Sequence, residues 1–349
     1  MWPCQPARTG WRSARLGCTE GSLTGSGKLP YPCSVDLLQT IRADIEAVPD
    51  GEHTAGLKAV LHHIEIAYRH LARGQAEGED SAFNDAIYRT NQAFEGSIKE
   101  AYRVLAEKDP SGKTPASIEK YLEQKKIFKD RVLAQLKDCR TNWRNPSTHD
   151  YNLFFDQDEA FLAIVSVSAF SKLLIRQVSG FISFKEAKEA VKEVAAPVPE
   201  VVDSGAVDAP YLGFLIRKLV VDFFSNQPIS QSESVSETRL LGGLEGYIST
   251  LLPDFEVVTD VGVGDSRNRV DMVVLGKGAS VFVELKRWRY GESWRDAGVA
   301  QMMSYLHEAG SKEGVVVFYD VKETTYVEVG GFASGDISVS VVAPASELR

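Results

Sequence analysis

Cysteine is scarce in this sequence, since a chain of 349 residues holds only four. They stand at Cys4, Cys18, Cys33 and Cys139. Because no two of them have Cys-x-x-Cys spacing, the sequence indicates neither a zinc site nor a disulfide framework. Cysteine usage suits a reducing cytosol, and we expect a cytoplasmic protein.

Long apolar runs are also missing, because no stretch approaches the roughly 20 apolar residues that a membrane-spanning helix requires. We therefore expect a soluble protein with no membrane partner. The hydrophobic content of 44% is still ample for packed cores, and the length suggests two domains.

An excess of positive charge is absent as well. The formal net charge is −9, and residues 211–349 carry 13 basic against 19 acidic side chains, a net charge of −6. These charges exclude nucleic-acid binding through bulk electrostatics, because phosphate attraction relies on lysine and arginine. Any contact with nucleic acid must therefore be local.

Residues 1–33 differ in composition from the rest of the chain. They are rich in arginine, glycine, serine and proline, contain Glu20 as their one acid, and lack the apolar segment of a secretory signal. We expect a disordered extension or an over-extended translation start, with an organellar transit peptide as the alternative. The next methionine is Met272, so a true start nearby, for instance at Val35, would use a non-methionine codon.

Two valine-rich segments, 269–275 and 280–286, flank a Gly-Lys-Gly turn at 276–278 and predict a β-hairpin. If the turn is centred on its last two residues, Asp271 lies directly opposite Glu284. Their Cβ atoms would then be roughly 5 Å apart on one face of the hairpin.

Lys286 follows Glu284 by two positions and shares its face, while Val283 and Leu285 point into the core. Two carboxylates as close as Asp271 and Glu284 repel each other unless a cation lies between them. Mg²⁺ prefers oxygen ligands, and a neighbouring lysine can position or activate a metal-bound water, so the pattern outlines a hydrolytic site. The alternative is an ordinary cross-strand ion pair on an exposed face.

The segments around the hairpin predict the order helix, strand, strand, strand, helix, strand. The first helix has Ser236 or a neighbouring serine as its cap, and the second places Gln301 and Tyr305 on one face at i,i+4 spacing. The last strand is the buried run GVVVFYD.

With these elements, residues 211–349 resemble the PD-(D/E)XK nuclease superfamily, which has the restriction-endonuclease-like fold. Asp271 matches the first acid of the motif, and Glu284 and Lys286 match its (D/E)-x-K part. The remaining match, Gln301 with Tyr305, resembles the Q-xxx-Y element of RecB-type members. The sequence departs from the motif at Val270, where many members have proline.

This resemblance implies a Mg²⁺- or Mn²⁺-dependent endonuclease that hydrolyses phosphodiester bonds, mainly in DNA. Asp271 and Glu284 would hold the metal, joined by the carbonyl of Leu285. Lys286 would orient the attacking water, and Gln301 would brace the lysine or touch the nucleic-acid backbone.

Further candidates surround this motif. Glu245 on the preceding helix is either an additional acidic ligand or a surface glutamate. Candidate contacts to nucleic acid are Arg287, Arg289, Arg295 and Tyr305, and the alternative for the arginines is a solvated strand end.

The first half of the chain is helical in pattern. Five segments, beginning near residues 34, 53, 81, 114 and 158, carry apolar residues at three- and four-residue steps. Five helices of this length make an all-α bundle.

A second constellation stands between the fourth and fifth helices, where Arg144 is followed by Asn145-Pro146 and then by His149. Proline biases the residue before it away from the helical conformation, so we expect the helix to end near Arg144 and a turn to bring His149 beside it. Arginine binds phosphate, and histidine can move a proton near neutral pH. These two groups suffice for a metal-free ribonuclease, because the RNA 2′-hydroxyl supplies the nucleophile.

The spacing R-N-x3-H in a helical bundle resembles the HEPN superfamily, over residues 35–182. Glu95, Lys99 and Arg103 repeat at four-residue spacing and are similar to an E-x3-K-x3-R element of some HEPN ribonucleases. The alternative is an ordinary salt-bridged helix face. The resemblance implies a homodimer in which the Arg144 and His149 pairs meet.

We therefore predict a multidomain α and α/β protein: an all-α HEPN-like bundle followed by a restriction-endonuclease-like α/β domain with a central mixed sheet. The predicted boundaries are 1–33 for the extension, 34–182 for the bundle, 183–210 for a charged helix and linker, and 211–349 for the nuclease-like domain. Such a pairing is typical of prokaryotic antiviral defence or of a toxin, with DNA and also RNA as possible substrates. The alternative is a non-catalytic nucleic-acid-binding or regulatory dimer with degenerate sites.

Overall fold

The structure is a computed structural model. It describes residues 36–144, 154–193, 209–226, 236–265, 267–288, 292–320 and 322–348. The predicted extension at 1–33 and most of the predicted linker lie outside this part of the chain.

The amino-terminal half is helical, as predicted. Its helices are α1 (Leu37–Glu46), α2 (Glu52–Glu77), α3 (Ser81–Leu105), α4 (Pro115–Gln124), α5 (Asp130–Asp138) followed by a π-helical turn (Cys139–Arg144), and α6 (Gln157–Glu193). A shared core of buried leucine, isoleucine, valine, alanine and phenylalanine side chains joins them. Amphipathic periodicity therefore places their apolar faces inside one bundle.

Two helices differ from the sequence prediction. The predicted fourth helix is divided into α4 and α5, because Lys126 has a positive φ of 52° that an α-helix cannot continue through. The predicted start of α4 is confirmed, since the Thr114 side chain accepts a hydrogen bond from the amide of Ser117 and Pro115 occupies the first turn.

The other difference concerns the end of the bundle. Residues 183–193 continue α6 without a break, whereas the sequence suggested a separate charged helix. α6 is also long and apolar enough to cross a membrane by length and composition, contrary to the expectation that no stretch approaches that length. Half of its most apolar window is buried inside the protein, as in the core helix of a bundle.

Within its described residues, the carboxy-terminal half forms a six-stranded mixed sheet in the order β1-β2-β3-β4-β6-β5. Its strands are β1 (Glu256–Gly262), β2 (Arg269–Gly276), β3 (Ala279–Arg287), β4 (Glu313–Tyr319), β5 (Tyr326–Ser334) and β6 (Ile337–Pro344). The pairs β3–β4 and β4–β6 are parallel and the others antiparallel. Every residue of β4 is buried, as expected for a parallel strand covered on both faces.

Helices cover both faces of this sheet. One face packs on α7 (Ala209–Asn226) and α8 (Glu237–Leu251), and the other packs on α9 (Glu292–Ala309). The order α8, β1, β2, β3, α9, β4 agrees with the predicted order of elements, and the hairpin β5–β6 extends it. An α region followed by α/β architecture is therefore observed.

Helices α6 and α8 cross at very close range. A Cβ atom at Gly242 would collide with the carbonyl oxygen of Gly180, and one at Gly246 would collide with that of Phe184. Glycine lets the two backbones touch, and Nε of Arg239 on α8 donates a hydrogen bond to the hydroxyl of Ser183 on α6 at 3.1 Å. The described residues accordingly belong to one compact unit, in which α6, the last helix of the bundle, packs on α8, the helix that directly precedes the sheet.

Candidate active site

The hairpin β2–β3 has the predicted register. Met272 pairs with Val283 and Gly276 with Ala279, which extrapolates to Asp271 opposite Glu284. The turn residues Lys277 and Gly278 both have positive φ, 51° and 83°, as a type I′ turn requires. Because the strands are antiparallel, the start of β2 and the end of β3 lie together at the end of the hairpin opposite the turn.

At this end of the hairpin, the carboxylates of Asp271 and Glu284 accept hydrogen bonds from backbone amides. Oδ2 of Asp271 accepts a hydrogen bond from the amide of Leu285 at 2.8 Å, and Oε2 of Glu284 accepts one from the amide of Asp271 at 3.3 Å. Each carboxylate is thus anchored to the strand that carries the other. Leu285 itself points to the opposite face and is buried there, as predicted.

Burial raises the pKa of both acids, and a neighbouring charge adds to this effect at each of them. Glu284 is only 8% exposed. Burial raises the pKa of Asp271, and the charge of Glu284 raises it further, to about 7. Burial also raises the pKa of Glu284, although the neighbouring Lys286 opposes this effect. Two buried acids that resist ionisation together form a site that a cation would stabilise.

Lys286 lies beside these acids and is held from two sides. Its Nζ donates to Oε1 of Glu284 at 3.3 Å and to Oε1 of Gln301 on α9 at 2.8 Å. Nε2 of Gln301 in turn donates to the hydroxyl of Tyr305. The lysine stem passes Gly298, where an added Cβ would lie 3.2 Å from Cδ of Lys286. The predicted brace by Gln301 is therefore present in the geometry.

A third acid, which sequence reasoning missed, acts on this pair. Glu237 in the first turn of α8 raises the pKa of both Asp271 and Glu284 by its charge, and its Oε2 accepts a hydrogen bond from the hydroxyl of Tyr319 at 3.1 Å. Burial and Glu237 raise the pKa of this tyrosine. An acid in the first turn of a helix is commonplace, because it suits the helix dipole, so the sequence contained no distinguishing signal.

Glu245, predicted as an additional acidic ligand or a surface glutamate, is not an exposed surface residue in the structure. It is half-buried, and its Oε2 accepts a hydrogen bond from the hydroxyl of Thr259 at 3.3 Å. Burial raises its pKa, while the charge of Lys129 lowers it. Glu245 lies on α8 two helical turns beyond Glu237, beside the bundle, because α6 covers the glycine-rich part of that helix.

The four residues predicted to contact nucleic acid differ in their exposure to solvent. Tyr305 is only 7% exposed and bonds to Gln301, so it supports the site from within and is not a surface contact. Arg287 is exposed at the end of β3, and Arg295 is partly exposed and lies 4.0 Å from Asp296. Arg289 lies outside the described residues.

The donor set of the site suits a hard divalent ion. Carboxylate oxygens are the ligands that Mg²⁺ and Mn²⁺ prefer, and Mg²⁺ usually keeps several waters and binds one or two carboxylates. Over the described ranges, no three His, Cys, Asp or Glu side chains converge as a ready cage. Asp271 and Glu284 therefore fit an ion that completes its shell with water.

Comparison with protein-family models, curated proteins and solved structures found no match.

The second predicted constellation is described only in part. Arg144 ends the π-helical turn after α5, and one of its terminal nitrogens lies 3.7 Å from Oε1 of Glu95 on α3. His149 lies outside the described residues, so its predicted proximity to Arg144 stays a prediction.

The remaining members of the E-x3-K-x3-R element have separate settings. Lys99 is half-buried on α3, and Arg103 pairs with Glu100 at 3.1 Å and reaches Glu52 at 3.5 Å. Arg103 thus belongs to a salt-bridged helix surface, which was the alternative interpretation, whereas Glu95 faces the arginine of the predicted catalytic pair.

Proposed function

We propose that this chain is a metal-dependent nuclease that hydrolyses phosphodiester bonds, mainly in DNA, with a site of the PD-(D/E)XK kind. One observation carries the proposal: Lys286 is held between Glu284 and Gln301, beside a buried pair of acids. An ordinary surface ion pair would need neither the burial nor the second hydrogen bond.

Asp271 and Glu284 would hold Mg²⁺ or Mn²⁺ in this proposal. The ion would polarise a phosphate oxygen and lower the pKa of a bound water, which is what two-carboxylate sites supply to hydrolysis. The raised pKa of Asp271 and Glu284 supports the assignment, because a divalent charge would relieve the repulsion between them.

In this proposal Lys286 positions the attacking water, and its contacts support that role. Its ammonium group has three donors, of which Glu284 and Gln301 occupy two. The third donor remains for the attacking water or for a phosphate oxygen of the substrate. Hydrolysis then joins the water oxygen to phosphorus, breaks the bond to the leaving oxygen, and delivers a proton to that oxygen.

Cleavage of supercoiled plasmid DNA tests the proposal. We expect nicking or linearisation with Mg²⁺, none with EDTA, and a loss of at least about 100-fold in rate for Lys286→Ala, since an electrostatic group at the reacting centre contributes that much. The matched control is Lys312→Ala, which removes an exposed lysine that pairs with Asp336 at 2.8 Å. Undiminished cleavage of plasmid DNA by the Lys286→Ala protein would contradict the proposal. Metal-independent binding of DNA without any cleavage would favour the alternative, a non-catalytic nucleic-acid-binding or regulatory dimer.

A second activity, metal-independent RNA cleavage by an HEPN-like bundle, is favoured by the contact between Glu95 and Arg144. The acid lies on the helix that carries the E-x3-K-x3-R spacing, and it contacts the arginine of the R-N-x3-H spacing. A homodimer in which the two Arg144 and His149 pairs meet, and a role in antiviral defence, belong to the same proposal.

RNA cleavage in EDTA tests this second activity. We expect wild type to cut RNA without metal and His149→Ala to lose that activity while Lys286→Ala retains it. His307→Ala, which changes a histidine in the last turn of α9, is the matched control. Absence of RNA cleavage in EDTA would leave the bundle without a catalytic role.

A further inference from the structure

A groove runs between the bundle and the segment formed by α8 and β1. It consists of two adjoining cavities of about 350 and 270 Å³. Both are lined by Lys129, Arg176, Gln177, Thr238 and Leu241, so they adjoin along these residues. One end reaches Asp271, and the other end reaches Phe181 and Phe184 of α6. A surface contributed by the bundle therefore leads directly to the candidate active site.

The groove concentrates cations in a chain whose net charge is −9. Lys125, Lys126, Arg131 and Arg176 line it and are exposed. Within the part of the chain that the structure describes, none of these four has a carboxylate at ion-pair distance. Unneutralised cations along one groove attract a polyanion such as a nucleic-acid backbone.

The acidic residues in the walls of the groove are mostly neutralised by neighbours. Asp260 pairs with Arg269 at 2.6 Å, and Glu245 shares the hydroxyl of Thr259 with Lys129, whose Nζ donates to it at 3.0 Å. Glu237 and Asp271, the acids of the candidate active site, lie at one end. The groove is thus cationic along its length and acidic where a metal would be held.

The segment that carries the lysines is fixed in place. Nε2 of Gln177 on α6 donates to the carbonyl of Ile127 at 2.7 Å, and its Oε1 accepts from the amide of Lys129 at 3.3 Å. One side chain therefore anchors the connection between α4 and α5 to the bundle. This connection contains Lys126, whose left-handed backbone divides the two helices. The break that the sequence did not predict orders the cations of the groove.

Aromatic rings stand at the end far from the acids. Phe181 and Phe184 are partly exposed, with ring centroids 6.3 Å apart and an angle of 19° between the rings. Cations that follow a backbone, together with aromatic side chains beside them, are how proteins bind single strands, because every unpaired base offers a face for stacking.

We propose that this groove binds a single-stranded segment of nucleic acid and directs its backbone to Asp271. The proposal rests on the nuclease function proposed above for that site. It makes the bundle part of the substrate-binding surface: Lys125, Lys126 and Arg131 contact phosphates, and Arg176 lies midway along the strand.

Binding of labelled 20-nucleotide oligomers to the full-length protein tests the groove. Fluorescence anisotropy in EDTA measures binding without cleavage, with single-stranded DNA, single-stranded RNA and duplex DNA as separate arms. We expect wild type to bind single strands more tightly than duplex, and Lys125→Glu/Lys126→Glu to weaken single-strand binding at least about 10-fold. The slope of log affinity against log salt should fall by about 0.7 for each phosphate that the variant no longer neutralises.

The matched control is Lys113→Glu/Lys120→Glu, which changes the net charge equally at exposed lysines of the neighbouring segment that do not line the groove. We expect this variant to bind like wild type, and both variants to keep the wild-type melting temperature. Equal affinities of the groove and control variants, or tighter binding of duplex than of single strands, would overturn the proposal. The binding and cleavage results can also separate the two proposals. If the groove variant fails to bind single strands and wild type does not cleave DNA with Mg²⁺, the groove binds nucleic acid but the proposed nuclease function is wrong. If wild type cleaves DNA and both variants bind single strands equally well, the nuclease function stands and the proposed groove is wrong.

Discussion

At the scale of single residues, the candidate site places ionisable side chains in a buried position, where the charged form is unfavourable in free energy. Asp271 and Glu284 are forced together by the hairpin register, and both resist ionisation because they are buried. The register followed from the alternation of strand side chains and the Gly-Lys-Gly turn, so these residues could be predicted from the sequence. Glu237 could not, because only the folded chain brings the first turn of α8 to the end of β3.

The raised pKa of Asp271 predicts how stability depends on pH. The value in the folded chain, about 7, exceeds that of an unfolded aspartate, roughly 3.9. Between these values the folded state binds more protons than the unfolded state, so stability falls as pH rises from about 4 to about 7. Asp271→Asn removes this penalty and can still accept from the amide of Leu285. We expect it to melt at a higher temperature than wild type at pH 8 in EDTA, by several degrees.

Thermal unfolding at pH 8 and pH 5 checks this expectation, because the gain must shrink at the lower pH. Asp336→Asn is the control: Lys312 lowers the pKa of that exposed acid, so its removal brings no gain at pH 8. A gain for Asp271→Asn that is equal at both pH values, or a loss at pH 8, would contradict the assigned cause.

Gln301 predicts a positioning effect on Lys286. Gln301→Leu removes the oxygen that accepts from the lysine at 2.8 Å, so the ammonium group keeps only its hydrogen bond to Glu284. We expect plasmid cleavage to slow about 10-fold, equivalent to about 1.4 kcal/mol, the size of one hydrogen bond. Gln301→Glu keeps an acceptor oxygen and should recover part of the rate. Equal rates for the leucine and glutamate variants would show that the hydrogen bond does not position the lysine.

At the scale of elements, the hairpin and the α/β order were predictable, whereas the contacts of α6 were not. Periodicity identified α6 and α8 as helices, but it could not show that α6 continues to Glu193 or that the two backbones touch. That contact also explains why Glu245 is half-buried. Its sequence suggests a surface residue, but α6 covers that part of α8 in the folded chain. The break between α4 and α5 at Lys126 could not be predicted either, because no sequence pattern indicates that a lysine has a positive φ.

The contact between α6 and α8 predicts a packing effect. Gly242→Ala places a methyl group against the carbonyl oxygen of Gly180, and backbone cannot move aside as a flexible side chain can. We expect a loss of about 1–3 kcal/mol in the free energy of unfolding, as for other overpacked cores. Urea unfolding measures it. Gly262→Ala is the control, because a Cβ there meets no atom within 4 Å, and a similar loss in both variants would argue against a close helix contact.

At the scale of the whole molecule, the bundle and the sheet region share surfaces. The predicted boundaries treat them as successive domains, and those boundaries stay a prediction. The net charge of −9 indicates that any nucleic-acid contact must be local. The sequence could not locate a cationic groove, because Lys125, Arg131 and Arg176 come from different elements and meet only when α4, α5 and α6 pack together.

The claim that Asp271 and Glu284 hold a divalent ion is tested most directly by titrating the protein with Mn²⁺ and following free Mn²⁺ by electron paramagnetic resonance. We predict a site in wild type that Mg²⁺ displaces, that Asp271→Asn and Glu284→Gln each abolish, and that Asp336→Asn retains. Unchanged Mn²⁺ binding in both the Asp271→Asn and the Glu284→Gln proteins would contradict the claim.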